Sequence, residues 1–67
     1  MIKYIGKQTR IDKGFTVRGL AAKAGIAPST ITKWENGSAL PDLETLDLVA
    51  VAMRVKPWKL ILFDGMN

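Results

Sequence analysis

Glycine, proline and asparagine residues divide this chain into short segments, and that punctuation limits the fold more than any other feature. Breaks fall at Gly14, at Gly25, across 36–41 and across 54–57. Between them, apolar residues recur mainly at three- and four-residue spacing, which is typical of short amphipathic helices. No alternation of apolar and polar residues extends far enough to indicate a sheet. We therefore expect an all-α fold, a compact bundle of five short helices.

The two segments on either side of Gly25 carry clear helix signals. Thr16 is a favourable N-cap for a helix that ends at Ala24, after which Gly25 can adopt a positive φ and turn the chain. Pro28 suits the first turn of a second helix that runs to Glu35. The pattern predicts two short helices joined by a sharp turn.

Three further helices complete the predicted bundle. Asp42 is a favourable N-cap for a helix over Leu43–Met53, although Arg54 stands where a glycine would be expected at its end. A first helix is expected over about 3–13 and a last one over 57–63. The nearly unbroken apolar run of the last segment is also compatible with a strand.

Composition excludes several classes of function. The 67-residue chain contains neither cysteine nor histidine, which excludes disulfides and thiolate metal sites and removes the commonest metal ligand and general base. We expect no cofactor, no metal and no enzyme, because none of the six acidic residues pairs with a base or nucleophile. Without a membrane-length apolar run or a signal-peptide pattern at 1–10, a cytoplasmic protein is expected, with 1–67 as one domain.

The charges are distributed unevenly along the chain. Residues 1–33 contain seven basic residues and one acidic residue, whereas residues 34–67 contain three basic and five acidic residues. The net charge of +4 is therefore concentrated in the first half. Such a distribution favours one face suited to phosphate, although lysines that only solvate a surface would give the same pattern.

Two short helices joined by a glycine-containing turn, the second with a polar outer face, make a helix-turn-helix. The run over 13–37, followed by 41–46, closely resembles the phage-repressor-like family, also called the Cro or XRE family. The resemblance covers about 9–62. The residues that carry it are Leu20-Ala21, Gly25, Ile31, Glu35-Asn36-Gly37, and Pro41 with Leu43 and Leu46. It implies a five-helix bundle whose helix over 28–35 lies in the major groove of double-stranded DNA.

The resemblance also implies which side chains meet the bases. Ser29 and Lys33 match positions that usually touch base edges, with Pro28 and Thr32 beside them. A lysine can donate to guanine O6 and N7, and a serine hydroxyl can pair with either kind of edge. Each hydroxyl could equally be solvated or bonded to the local backbone.

Phosphate contacts are expected from two places. Thr16, Val17 and Arg18 lie at the start of the first of the two helices, where free N–H groups can hold a phosphate oxygen. Asn36 and Ser38 match the loop after the second helix. The chain departs from the family here, since the family usually has glutamine where this chain has Val17 and often has a basic residue where Ser38 stands.

Two further roles are implied for residues outside these helices. Arg10 and Glu35 match a pair that often forms a partly buried salt bridge, with two independent surface charges as the alternative. Trp58, Ile61 and Leu62 give the last segment more apolar surface than so small a core needs, which suggests a dimer contact as the alternative to core packing.

Together these features predict a sequence-specific DNA-binding transcriptional regulator of the repressor type, a homodimer on DNA with no membrane and no small-molecule substrate. The alternative is a protein-interaction module, such as an antitoxin-like protein that covers a partner. The polar, basic outer face of the helix over 28–35 favours the first interpretation, because a protein interface would more naturally be apolar there.

Overall fold

The computed structural model describes residues 1–63 and 65. Its four α-helices are α1 (Gly6–Asp12), α2 (Val17–Ala24), α3 (Pro28–Glu35) and α4 (Leu43–Met53), followed by a 3₁₀ helix over Pro57–Leu60. Two short strands, β1 (Ile2–Tyr4) and β2 (Ile61–Phe63), stand at the two ends of this series. Within the described residues the fold is therefore mostly helical with one small sheet.

The three central helices begin and end where the sequence predicts. The Thr16 hydroxyl oxygen accepts a hydrogen bond from the Gly19 N–H at 2.9 Å, which caps α2, and Gly25 ends that helix with φ 77°. The Asp42 carboxylate accepts from the Thr45 N–H at 2.8 Å and caps α4. Arg54 ends α4 in the left-handed conformation, with φ 59° and ψ 44°.

The prediction of five helices is wrong at the N-terminal segment. Residues 2–4 form a strand that pairs antiparallel with β2, with Lys3 opposite Leu62, and α1 starts only at Gly6. The Ile5 N–H extends the pairing by donating to the Leu60 carbonyl oxygen at 2.7 Å. Three residues are too few to show a period of two, so this non-local pairing leaves no clear local signature.

The predicted last helix over 57–63 is also wrong in part. Only Pro57–Leu60 is helical, as a single 3₁₀ turn, and the apolar run then becomes β2. The strand alternative for this segment is correct for Ile61–Phe63. Pairing with β1 satisfies backbone groups that a helix would have satisfied internally.

The core lies where α2, α3 and α4 meet the 3₁₀ helix. Its largest fully buried side chains are Leu20, Ile31, Val49, Met53 and Leu60. The ring of Tyr4 reaches in from β1 and packs on the ring of Trp34, with centroids 5.4 Å apart. The sheet thus closes one side of the helical core.

No helix within 1–63 is both long enough and apolar enough to cross a membrane.

Candidate nucleic-acid interface

The two faces of α3 differ sharply in polarity. Ile31 and Trp34 are buried against the core, whereas Ser29, Thr32 and Lys33 are exposed. With only two large apolar anchors on an eight-residue helix, most of its surface remains outside the molecule. The structure therefore presents a polar ridge on a fixed helix.

The first turn of α3 has no side-chain cap. Ala27, the N-cap residue, supplies no side-chain hydrogen bond, and Pro28 has no N–H to satisfy. The Thr32 hydroxyl donates to the Pro28 carbonyl oxygen at 3.3 Å. The Thr32 hydroxyl therefore forms the local backbone hydrogen bond that is the alternative to base contact. Its methyl group and its oxygen lone pairs remain for other contacts.

The start of α2 offers backbone donors. The Thr16 hydroxyl oxygen accepts a hydrogen bond from the Gly19 N–H, and the Thr16 carbonyl oxygen accepts one from the Leu20 N–H. The N–H groups of Val17 and Arg18 precede the first intrahelical bonds. The Val17 side chain packs against the core, so only its backbone faces outward, while the Arg18 side chain is exposed.

The loop after α3 is held by its own polar groups. The Ser38 N–H donates to the Asn36 Oδ1 at 2.9 Å and also to the Lys33 carbonyl oxygen at 2.9 Å. Gly37 adopts φ 83°, which favours glycine. The Asn36 amide N–H₂ and the Ser38 hydroxyl remain as outward donors.

An ion pair joins the helix-turn-helix to α1. The Arg10 guanidinium donates to both carboxylate oxygens of Glu35, from Nε at 2.7 Å and from Nη2 at 3.0 Å, and its Nη1 donates to the Phe15 carbonyl oxygen at 2.8 Å. Both side chains are mostly buried. The hydrogen bond to Glu35 raises the pKa of Arg10 above its ordinary value. One guanidinium thus connects α1, the loop before α2 and the end of α3.

Comparison with known proteins bears on this geometry. A family model described as helix-turn-helix matches residues 7–57, which is most of the chain. The chain belongs to the Cro/XRE-type helix-turn-helix family. A crystal structure from Bacteroides fragilis, provisionally described as that of a DNA-binding protein, is similar at 32% identity and a TM-score of 0.84, covering 92% of this chain and all of that one. No curated protein matches this helix-turn-helix chain.

The residues predicted for the interface lie on three adjoining parts of this helix-turn-helix protein. The predicted base-contacting residues lie on α3 and the predicted phosphate-contacting ones at the start of α2 and in the loop after α3. Among 1–63 and 65, no group of three or more acidic side chains could hold a metal ion. The site is therefore a surface of hydroxyl, amide and cationic groups.

The three residues predicted for a dimer contact do not share one face. As a helix, Trp58, Ile61 and Leu62 would have lain together, but residues 61 and 62 are neighbours on a strand and point to opposite sides. Trp58 and Ile61 line an apolar groove, whereas Leu62 lies opposite Lys3 on the other side of the sheet. The helix that would group them is wrong, and the dimer contact itself stays a prediction.

The apolar groove itself was not predicted from the sequence. Beside Trp58 and Ile61, its walls include Ile2 and Phe63, which are cross-strand partners, and Leu43 from the first turn of α4. Leu43 is 85% exposed and Trp58 is 67% exposed. Ile2 and Phe63 come together here through the strand pairing, so no local pattern could indicate the groove.

Proposed function

We propose that this protein is a sequence-specific DNA-binding transcriptional regulator that reads the major groove with α3. The observation that carries the proposal is the polar outer face of α3, seated on buried Ile31 and Trp34 and fixed at its end by the Arg10–Glu35 pair. A rigid helix with short polar side chains suits base-edge recognition, because the major groove admits one α-helix. The provisional description of the similar Bacteroides fragilis protein as DNA-binding supports the same function.

Base readout and phosphate contact are assigned to different residues. Ser29, Thr32 and Lys33 would meet base edges, with the ring of Pro28 against a thymine methyl. Phosphates would be held by the N–H groups at the start of α2, by the Arg18 guanidinium and by the polar loop after α3. Val17 would contribute only through its backbone, since its side chain packs inward.

The function is tested by selecting bound sequences from a random duplex pool and then titrating the selected duplex with salt. A DNA-binding protein should lose affinity with a log–log slope of about −0.9 per phosphate contacted. Failure to enrich any sequence, or an affinity that salt barely changes, would contradict the proposal and favour a protein-interaction module.

The division of labour within the interface is tested by two substitutions. Lys33→Ala should relax preference at one base pair, at a cost of about 1–3 kcal/mol for the selected site, whereas Arg18→Ala should weaken binding to selected and random duplexes alike. Lys7→Ala removes one positive charge from the exposed start of α1 and serves as the control. Equal losses on both duplexes for Lys33→Ala would remove it from base readout.

We further infer that the protein acts as a homodimer whose second copy covers the apolar groove. Solvent exposure of Leu43, Trp58 and Phe63 on one surface is the feature that supports a partner there. Two-fold pairing would give a palindromic site with half-sites about one DNA turn apart.

The dimer is tested by sedimentation of the wild type and of Trp58→Ser. The matched control is Val51→Ser, because Val51 is also 67% exposed but lies outside the groove. Trp58→Ser should shift the protein to monomer and Val51→Ser should not. A wild type that stays monomeric on a palindromic duplex would refute the dimer and leave the groove for a different protein.

Repression is the expected sign of regulation, through occupancy of a promoter. A reporter gene placed downstream of the selected site should fall in expression when the wild type is supplied. Lys33→Ala should restore expression, and activation by the wild type would reverse the assignment.

A further inference from the structure

A second cationic surface lies away from the helix-turn-helix. The second half of the chain contains only three basic residues, Arg54, Lys56 and Lys59, and all three line one surface cavity of about 490 Å³. Thr9 from α1 and Val55 complete its walls. None of these residues belongs to α2 or α3, so the proposed DNA interface does not account for them.

The charges in this cavity are not balanced nearby. None of its lining residues is acidic, and neither Arg54 nor Lys59 forms an ion pair with any residue in the described part of the chain. The two acidic residues of α4 are Glu44 and Asp47, which precede Arg54 by about 15 Å and about 10 Å along the helix axis. The end of α4 carries a partial charge of only about −0.5, which three cations more than compensate.

The conformation of Arg54 is the second unusual feature. It is the only non-glycine residue among those described with a positive φ, at a helix end where glycine would be accommodated without a steric penalty. A cation here is favourable to the helix dipole, but glycine would suit the backbone better. A guanidinium in addition can hold two phosphate oxygens at once.

We propose that the cavity binds the phosphate groups of a small phosphorylated molecule. Its volume is within the range of small-molecule sites, and its cations and the Thr9 hydroxyl supply donors for several phosphate oxygens. The polar loop after α3 leads into the start of α4, whereas the cavity lies at the end of α4, about 16 Å further along the helix axis, so a duplex held by α3 is the less suitable occupant. The proposal does not depend on DNA binding elsewhere.

The test is titration of the isotopically labelled full chain with inorganic pyrophosphate, followed by amide NMR. Saturable shifts are expected at Thr9 and over 54–59. The double variant Lys56→Gln/Lys59→Gln should weaken binding at least tenfold. The control, Lys13→Gln/Lys23→Gln, makes the same change in net charge on α1–α2 and should bind as the wild type does. Non-saturating shifts spread over all basic residues, or equal losses in both variants, would overturn the site.

Arg54→Gly separates binding from folding. Glycine suits the positive φ, so this variant should melt at a higher temperature than the wild type while its pyrophosphate affinity falls severalfold. Unchanged affinity would remove Arg54 from the site. In a parallel titration with a short DNA duplex, shifts over 54–59 stronger than those caused by pyrophosphate would overturn the small-molecule assignment in favour of a second DNA contact.

Discussion

The helix-turn-helix and the two-stranded sheet differ in how they are stabilised and in how much apolar surface they leave exposed. A hydroxyl cap and a glycine stop fix the two ends of α2, and the Arg10–Glu35 pair fixes the end of α3. The sheet consists of two three-residue strands, and three of its apolar side chains are exposed, Ile2 at 46%, Leu62 at 44% and Phe63 at 62%. The first region is complete in the monomer, whereas the second leaves apolar surface uncovered.

Exposed polar side chains and exposed apolar side chains differ in how strongly they indicate a binding partner. An exposed serine or lysine on α3 would be stable in water whether or not it bound anything, so its position on a rigid helix carries the functional argument. An exposed tryptophan next to an exposed leucine has no such neutral explanation, because water does not favour a contiguous apolar patch.

The largest expected effect comes from breaking the ion pair that holds the helix-turn-helix. Glu35→Ala leaves the Arg10 guanidinium mostly buried without its carboxylate and should lower the free energy of unfolding by about 3–5 kcal/mol. Urea denaturation followed by circular dichroism measures this directly.

The matched control removes both charges together. Arg10→Met/Glu35→Leu should be far more stable than Glu35→Ala, since no uncompensated charge remains. Its DNA affinity should nevertheless fall, because Arg10 also positions the Phe15 carbonyl before α2. If Glu35→Ala were as stable as the wild type, the two residues would be independent surface charges.

A smaller loss is expected at the junction between the sheet and α1. Gly6 is buried, and a Cβ added there would overlap the hydroxyl and ring of Tyr4. Gly6→Ala should therefore cost about 1–3 kcal/mol, as overpacking does elsewhere, despite the better helix propensity of alanine. Denaturation of Gly6→Ala, Tyr4→Ala and the double variant forms a cycle. The cost of Gly6→Ala should largely vanish once the ring is gone, and simple additivity would contradict the predicted overlap.

The same contrast explains which parts of the fold could be predicted. The bounds of α2, α3 and α4 follow from residues a few positions apart, such as Thr16 with Gly19 or Asp42 with Thr45, so local patterns were sufficient. The strands depend on partners about sixty residues apart, and Gly6, inside the predicted first helix, makes room for the ring of Tyr4. Tertiary pairing decided those segments.

The candidate site shows the same division. The outward face of α3 could be predicted, because Ile31 and Trp34 leave little choice about which side is buried. The Arg10–Glu35 contact spans 25 residues, and only the family resemblance indicated it. The cavity around Arg54 could not be predicted, since it needs α1 beside the end of α4.

A gain of stability is expected when the hydroxyl of Tyr4, which has no hydrogen-bond partner among the described residues, is removed. The Tyr4 hydroxyl is buried, and no hydrogen-bond partner for it occurs among the described residues. Tyr4→Phe should therefore raise the free energy of unfolding by about 1 kcal/mol, the lower end of the cost of an unpaired buried polar group. Chemical denaturation at neutral pH checks this, and a loss of stability would show that the hydroxyl has a partner.

Alkaline pH gives an independent measurement on the same residue. Burial, and secondarily the charge of Glu35, raises the pKa of Tyr4 from 10.0 to about 12. The folded protein holds this proton more tightly than the unfolded chain, so its contribution is complete below pH 10 and is lost as the pH rises toward 12. Tyr4→Phe should lose less stability over that interval. Parallel alkaline melting curves for the two proteins would contradict the assignment.

The smallest expected effect concerns the caps of the helices. Hydrogen bonds from the Thr45 hydroxyl, and then from backbone N–H groups, lower the pKa of Asp42 below its ordinary value of 3.8. The contribution of this cap is therefore complete above about pH 4 and is lost as the pH falls through the lowered pKa. Asp42→Asn keeps an oxygen acceptor without the titration, so its melting temperature should fall less steeply between about pH 4 and pH 2. The cap of α2 is a threonine hydroxyl that does not titrate, so acid should loosen α4 before it loosens α2. Amide hydrogen exchange resolved by residue measures this order. If α2 loosened first, the caps would not be the cause.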